Sequence, residues 1–162
     1  MNFDPEQLRR AMRAWTTGVA ILTASHNGDT YGMTINSFNS LSLDPPVVGV
    51  TVRKETHIHN LIEGARNFGV TILSAAQRDL AEDFAGRKHG AERMAGVDSS
   101  PLVTGAPLLT EGLASLDCRV TQAIPLGKNT LFLAEVAAVQ VRSTEEPLVY
   151  HDRKYRQIAP SP

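Results

Sequence analysis

The sequence predicts a mainly β fold, a β-barrel carrying a few helices. Three observations lead there. Short apolar runs rich in Val, Ile and Thr recur from residue 19 to residue 158. Asn27-Gly28 lies between two such runs, a strong short-range hairpin signal. Helical spacing is confined to a few short segments. The 162 residues are a single-domain length, long enough to bury one sizeable core, and 1–162 reads as one domain without repeats or linkers.

The elements follow in order. Asp4-Pro5-Glu6-Gln7 reads as a helix start, with Asp4 as cap, Pro5 at the first helical position and Gln7 as capping-box partner. Leu8, Ala11, Met12 and Trp15 repeat at helical spacing and predict one face to bury, with Gly18 closing the helix. Strands are expected at 19–23 and 30–34, flanking His26-Asn27-Gly28-Asp29. Asp44-Pro45-Pro46 is a stiff turn leading into a buried strand at 47–52. Residues 56–64 read as a helix with Ile58, Leu61 and Ile62 on one side, 68–73 as a strand, and 76–84 as a second helical segment. The stretch 86–112, rich in Gly and Pro, reads as loop with short helical turns. Strand patterns return at 114–123 and 130–141, and 147–150 with 155–158 read as a closing strand pair.

Sixteen basic and 17 acidic residues leave a formal net charge of −1, so charge gives no reason to expect nucleic acid or an anionic membrane as partner. Arg9, Arg10 and Arg13 read as a solvated helix face. No apolar run approaches the roughly 20 residues of a spanning helix. The start of the chain lacks a signal-peptide pattern, and the single cysteine, Cys118, cannot form an internal disulfide. The expected location is the cytoplasm.

Several motifs yield to plainer readings. Gly64 and Gly69 have P-loop spacing, but Val70 stands where the phosphate-reaching lysine belongs. No Gly-x-Gly-x-x-Gly is present, so a nicotinamide would have to bind without a Rossmann site. His57 and His59, two apart on a helix, point to different faces, and no metal site is expected. Cys118, in an apolar strand, reads as a buried free thiol. Three segments carry more. Residues 32–46 concentrate small hydroxyl and amide side chains where a strand exits, suited to a self-satisfied loop or to a polar ring or phosphate. Arg53-Lys54-Glu55-Thr56 ends a strand and begins a helix, an ordinary N-cap or a phosphate seat. Tyr150, His151 and Tyr155 form a polar aromatic cluster, which a structural tyrosine pair would also explain.

Together these segments resemble the flavin reductase-like family, an FMN-binding split barrel of Greek-key type. The resemblance runs from Trp15-Thr16-Thr17-Gly18 through Gly32-Met33-Thr34-Ile35-Asn36-Ser37 and Ser40-Leu41-Ser42-Leu43-Asp44-Pro45-Pro46. It continues through Asn67-Phe68-Gly69-Val70, Leu80 to Ala85, Leu116-Asp117-Cys118 and Pro147-Leu148-Val149-Tyr150. It implies an NAD(P)H:flavin oxidoreductase that moves hydride from NADH or NADPH to FMN or FAD, with no protein nucleophile. It also implies a homodimer that supplies reduced flavin to a separate monooxygenase. By the same resemblance Met33, Thr34, Ile35, Asn36, Ser37 and Ser40 line the flavin ring and ribityl chain. Arg53, Lys54 and Thr56 approach the phosphate, and Phe84 and Ala85 lie alongside the cofactor. Many members carry Gly-Asp-His before the last long strand, whereas this chain reads Gly127-Lys128-Asn129. Asn129, His151 and Tyr155 are therefore the nicotinamide candidates, and Asn129 cannot titrate as imidazole does. A flavin carrier or electron-transfer protein on the same barrel is the alternative that this departure favours. A pyridoxamine-phosphate oxidase relative would share the barrel, but the Gly-Met-Thr-x-Asn-Ser match speaks against it.

Overall fold

A computed structural model describes residues 3–159. Helix α1 (Pro5–Arg13) starts as expected. The Asp4 carboxylate accepts from the Glu6 amide at 2.9 Å, and Pro5 needs no donor there. Two expectations for this helix change. Gln7 makes only a backbone bond to Asp4, so no capping box forms. The helix also ends at Arg13 rather than Gly18, because Thr17–Gly18 is taken up as the short strand β1. Its apolar face is not covered by the described residues: Leu8 and Met12 remain exposed, as does Trp15 just beyond the helix.

The main sheet begins with β2 (Ala20–His26) and β3 (Asp29–Ile35), joined by a two-residue turn. Asn27 and Gly28 both take positive φ, 51° and 81°, the backbone that a tight hairpin of this hand demands. Here the Ser/Asn-rich segment departs from its reading as a loop. Asn39–Leu43 forms β4, an edge strand paired antiparallel with β5 (Pro46–Arg53) across the Asp44-Pro45 turn. Two-residue alternation is broken there by a bulge between Ser40 and Ser42, which is why the segment looked irregular.

Helix α2 (His57–Ala65) follows with Thr56 at its N-cap, and Arg66 closes it in the left-handed region. β6 (Asn67–Ile72) leads to a capping box at Ser74–Gln77 and the short α3 (Arg78–Glu82), which runs into a wider turn over Asp83–Arg87. The 86–112 stretch is mostly loop, as expected, with a helical turn at Gly90–Arg93 and a minimal pair of strands, β7 (Ser99–Ser100) and β8 (Leu108–Leu109). Two long strands, β9 (Ala114–Leu126) and β10 (Asn129–Val141), then form a hairpin. A closing hairpin of β11 (Val149–His151) and β12 (Lys154–Arg156) pairs with β1.

Seven strands pair antiparallel in the order β3-β2-β6-β9-β10-β5-β4. This sheet wraps α2 without closing edge to edge, which is the split-barrel arrangement. Its core includes Leu22, Val50, Ile58, Ile62, Phe68 and Phe132, each with essentially no exposed surface. A smaller cluster of Ile21, Leu73, Ala81, Phe84, Leu109 and Leu148 lies on the other face of β2. One irregular connection is pinned from inside: the buried Asp117 carboxylate accepts from the Val103 and Thr104 amides at 2.7 and 2.8 Å. Cys118, beside it, is buried, and desolvation followed by the Asp117 charge pushes its thiol up to about 12, so it stays protonated and inert.

Candidate functional site

A cavity of about 380 Å³ opens where the second half of β3 meets the start of α2. Met33, Thr34, Ile35 and Asn36 form its floor, and Phe84 with Ala85 forms one side. The fit between floor and side depends on Gly32. A Cβ at that position would lie 2.5 Å from the Phe84 ring, so only glycine lets the ring close against β3. The Thr34 hydroxyl donates to the Ala81 carbonyl at 2.6 Å, tying the strand to α3. Asn36 is exposed at the rim.

At one end stands the N-terminus of α2. Thr56 and His57 both line the cavity. The Thr56 hydroxyl donates back to the Arg53 carbonyl at 2.6 Å, so no side chain caps the first-turn amides of α2. Those amides carry partial positive charge next to the cavity. His57 is held through Nε2, 2.7 Å from Asp29 Oδ2, and its ring meets Tyr31 edge-on at 5.1 Å. Arg93 reaches in from the loop, with its guanidinium 5.1 Å from the Tyr31 ring centroid. Its Nε donates to the Lys88 carbonyl, and its Nη1 donates to the Phe84 and Gly32 carbonyls at 2.8 and 3.3 Å.

The opposite side is aromatic. Tyr150 and Tyr155, paired across β11 and β12, meet edge-on with centroids 5.5 Å apart. Desolvation, then the neighbouring Tyr150, raises the Tyr155 phenol above its ordinary value, so it faces the cavity as a neutral donor.

Eight of the expected residues therefore share one cavity: Met33, Thr34, Ile35, Asn36, Thr56, Phe84, Ala85 and Tyr155. The others lie outside its lining. The Ser37 hydroxyl donates to the Thr51 carbonyl at 2.9 Å. Ser40 is exposed on the edge strand opposite Val48. Arg53 is exposed and ion-paired with Glu55, and Lys54 is exposed beside it. Asn129 pairs with Arg53 and Leu126 at the start of β10, and His151 Nδ1 lies 2.8 Å from the Thr16 hydroxyl. Sequence reasoning did not single out Val19, Tyr31, His57 or Arg93 as lining residues, and it named Tyr150 only within the aromatic cluster. Tyr31 had a usable signal, since it shares a strand face with Met33. Arg93 had none, being delivered by a loop. No group of three or more metal-ligating side chains occurs among the described residues. No helix there is long and apolar enough to cross a membrane.

A β-barrel whose cavity combines apolar and aromatic walls, a hydroxyl- and amide-bearing floor and an uncapped helix start defines a binder of a flat, phosphate-bearing ring system. The comparisons give this class a family. The profile of the flavin reductase like domain matches residues 12–159, and the chain belongs to that family. It is 36% identical over 157 residues, 97% of this chain and 83% of the relative, to the reductase component of a 4-nitrophenol 4-monooxygenase/4-nitrocatechol 2-monooxygenase from Rhodococcus opacus. It is 32% identical over 156 residues to the FMN reductase (NADH) RutF of Stutzerimonas stutzeri, covering 96% of this chain and 90% of the relative. Among solved structures, the Streptomyces globisporus NADH:FAD oxidoreductase SgcE6 in complex with NAD and FAD fragments superposes with a TM-score of 0.88. The identity is 33%, with 97% of this chain and 94% of that one covered.

Proposed function

We propose that this chain is an NAD(P)H:flavin oxidoreductase that delivers reduced FMN or FAD to a separate monooxygenase component. The observation that carries the reading is the cavity between the Gly32–Asn36 strand end, Phe84 and the Tyr150–Tyr155 pair, in a chain similar over nearly its whole length to flavin reductases. The residues fit a flavin. Phe84, Val19 and Tyr150 offer flat apolar contact, Thr34 and Asn36 offer polar edges, and the bare amides of α2 with Thr56 suit a phosphate.

When bound, the flavin supplies the hydride-accepting chemistry itself. The chain's own contribution is placement. β3 and Phe84 fix one face of the cavity, and the tyrosine pair leaves the other side for a dihydronicotinamide ring, so that donor and acceptor meet in register. Tyr155, held neutral, donates a hydrogen bond without releasing a proton. Relatives such as RutF and SgcE6 use NADH, and this chain is proposed to accept NADH or NADPH. Of the site residues outside the lining, Ser37, Ser40, Arg53 and Lys54 stay assigned to flavin, with Asn129 and His151 assigned to nicotinamide. A second subunit bringing loops nearer would give them their contact.

The proposal includes a homodimer in the cytoplasm. Leu8 and Met12 on α1, Trp15 just after it, and Leu41 and Leu43 on β4 are exposed apolar side chains in need of cover. Light scattering is expected to give twice the chain mass, and a monomer at micromolar concentration would reject the dimer. The activity test is steady-state oxidation of NADH and NADPH with FMN, FAD or riboflavin added. Stimulation by at least one flavin is expected. Tight flavin retention without reduction by either nicotinamide would instead identify a carrier.

A further inference from the structure

Resting on that reading, we propose that Tyr31, His57 and Arg93 form the seat for an adenosine diphosphate group, of which a mononucleotide such as FMN carries only the first phosphate and to which a dinucleotide adds the second phosphate and the adenosine. All three line the cavity at its α2 end, and they form one continuous contact chain: guanidinium over phenol ring, phenol ring against imidazole, imidazole on the Asp29 carboxylate. None is needed to explain flavin ring contact, which β3, Phe84 and the tyrosine pair provide.

The chemistry is specific to a diphosphate with an aromatic base. Arg93 spends Nε and Nη1 on three carbonyls, which orients the guanidinium, while Nη2 has no hydrogen-bond partner among the described residues. An oriented guanidinium with free donors is a preferred partner for phosphate oxygens. His57 is fixed through Nε2 by Asp29, which leaves Nδ1 without a partner among the described residues. The uncapped amides of α2 add positive potential at the same end. The His57 ring, braced edge-on by Tyr31, provides a flat face against which a purine packs, and Tyr31 in turn carries the Arg93 guanidinium over its own ring. By contrast, Arg53 is neutralised by Glu55 and, like Lys54, does not line the cavity.

FAD and NADH both carry this group, and the test separates them. Calorimetry with ADP alone reads the seat directly, independently of any flavin. ADP is expected to bind wild type and to compete with one dinucleotide. Flavin affinity is then compared for FAD, FMN and riboflavin. Separately, riboflavin reduction is compared for NADH and reduced nicotinamide mononucleotide. In His57→Ala and Tyr31→Leu, the preference for the dinucleotide over its mononucleotide is expected to fall about tenfold, equivalent to about 1.4 kcal/mol. The fall in the FAD/FMN ratio marks the flavin as the source, and a fall in the NADH ratio marks the nicotinamide. His57 is half-exposed, so its removal leaves the fold intact; Arg93→Met, which loses three carbonyl contacts, is interpreted only if its unfolding midpoint matches wild type. No ADP binding, or ratios unchanged in both the His57 and Tyr31 variants, overturns the seat. An Arg93→Met variant that weakens FMN and FAD equally also overturns it, since the guanidinium then serves only the phosphate that FMN already carries and nothing of the adenosine-bearing half. A chain that binds ADP but no flavin would instead sink the reductase reading while leaving the seat standing.

Discussion

Strand β2 divides two apolar clusters that are built differently. Ala20, Leu22 and Ala24 point into the barrel, where regular strands and α2 surround them. Val19 and Ile21 point the other way, toward Phe84, Leu109 and Leu148, which are held by short turns and loops. The barrel cluster is enclosed by hydrogen-bonded ladders, whereas the smaller one borders the cavity through Val19 and Phe84. The contrast shows where rigidity and adaptability reside: the first cluster holds the strands, and the second holds the site.

The largest expected effect breaks the first cluster. Phe132→Ala removes a ring with no exposed surface between β9 and β5, where ladders on both sides resist collapse. A loss of about 4–5 kcal/mol is expected in urea unfolding. Phe84→Ala deletes an equally buried ring whose neighbours can relax toward the cavity. Its cost is expected at the lower end, about 3 kcal/mol, with a larger loss of flavin affinity than Phe132→Ala causes at matched stability. Equal effects on binding from the two variants would erase the distinction between clusters.

A smaller effect sharpens the contrast. Gly32→Ala forces a methyl toward Phe84, a cost of about 1–3 kcal/mol for overpacking. The displaced ring lies in the site's wall, so the Kd for flavin should rise under conditions where the variant is still fully folded. Flavin fluorescence quenching measures the Kd and circular dichroism the folded state.

How legible each cluster was in the sequence follows from the same difference. The barrel strands announced themselves, because Val47 to Val52, Phe68 to Leu73 and Thr130 to Val141 carry continuous or alternating apolar character that local pattern reports. The hairpin was legible from Asn27-Gly28 alone. On the site side, the β3 floor was reachable through the Gly-Met-Thr-x-Asn-Ser resemblance, yet Arg93 was not, since a loop delivers it and its contacts lie 61 and 9 residues away, at Gly32 and Phe84. The apolar stripe of α1 was read correctly as a pattern but misread as buried, because periodicity reports which face is apolar and not what covers it. The bulged β4 failed for a related reason: its serines satisfy a ladder that only pairing with β5 defines.

The smallest expected effect concerns the turn that carries Phe84. Asp83 hydrogen-bonds the Arg87 guanidinium and lies 2.9 Å from Lys88 Nζ, and these two partners, Arg87 first, hold its carboxyl below the ordinary carboxylate range. A folded-state pKa below the unfolded one gives stabilisation that is complete above the unfolded value, near pH 4, and is lost as pH falls through the folded value. The turn should therefore hold at neutral pH and loosen in acid, while Arg87 retains Glu82 at 3.3 Å and Asp79 at 3.6 Å as partial substitutes. Exposure of the Arg87 and Lys88 side chains to solvent keeps the effect modest. Amide hydrogen exchange at Phe84 and Ala85, followed from pH 6 to pH 3 after correction for the intrinsic rate, should accelerate in wild type. In Asp83→Asn it should already be fast at pH 6 and lose that dependence. The hydrogen bonds and ion pairs of Asp83 go to Arg87 and Lys88 and not to the barrel ladder around Phe132, so the difference between wild type and Asp83→Asn should vanish there. Its appearance in the ladder would mean that the two clusters open together and that the site has no local mobility of its own.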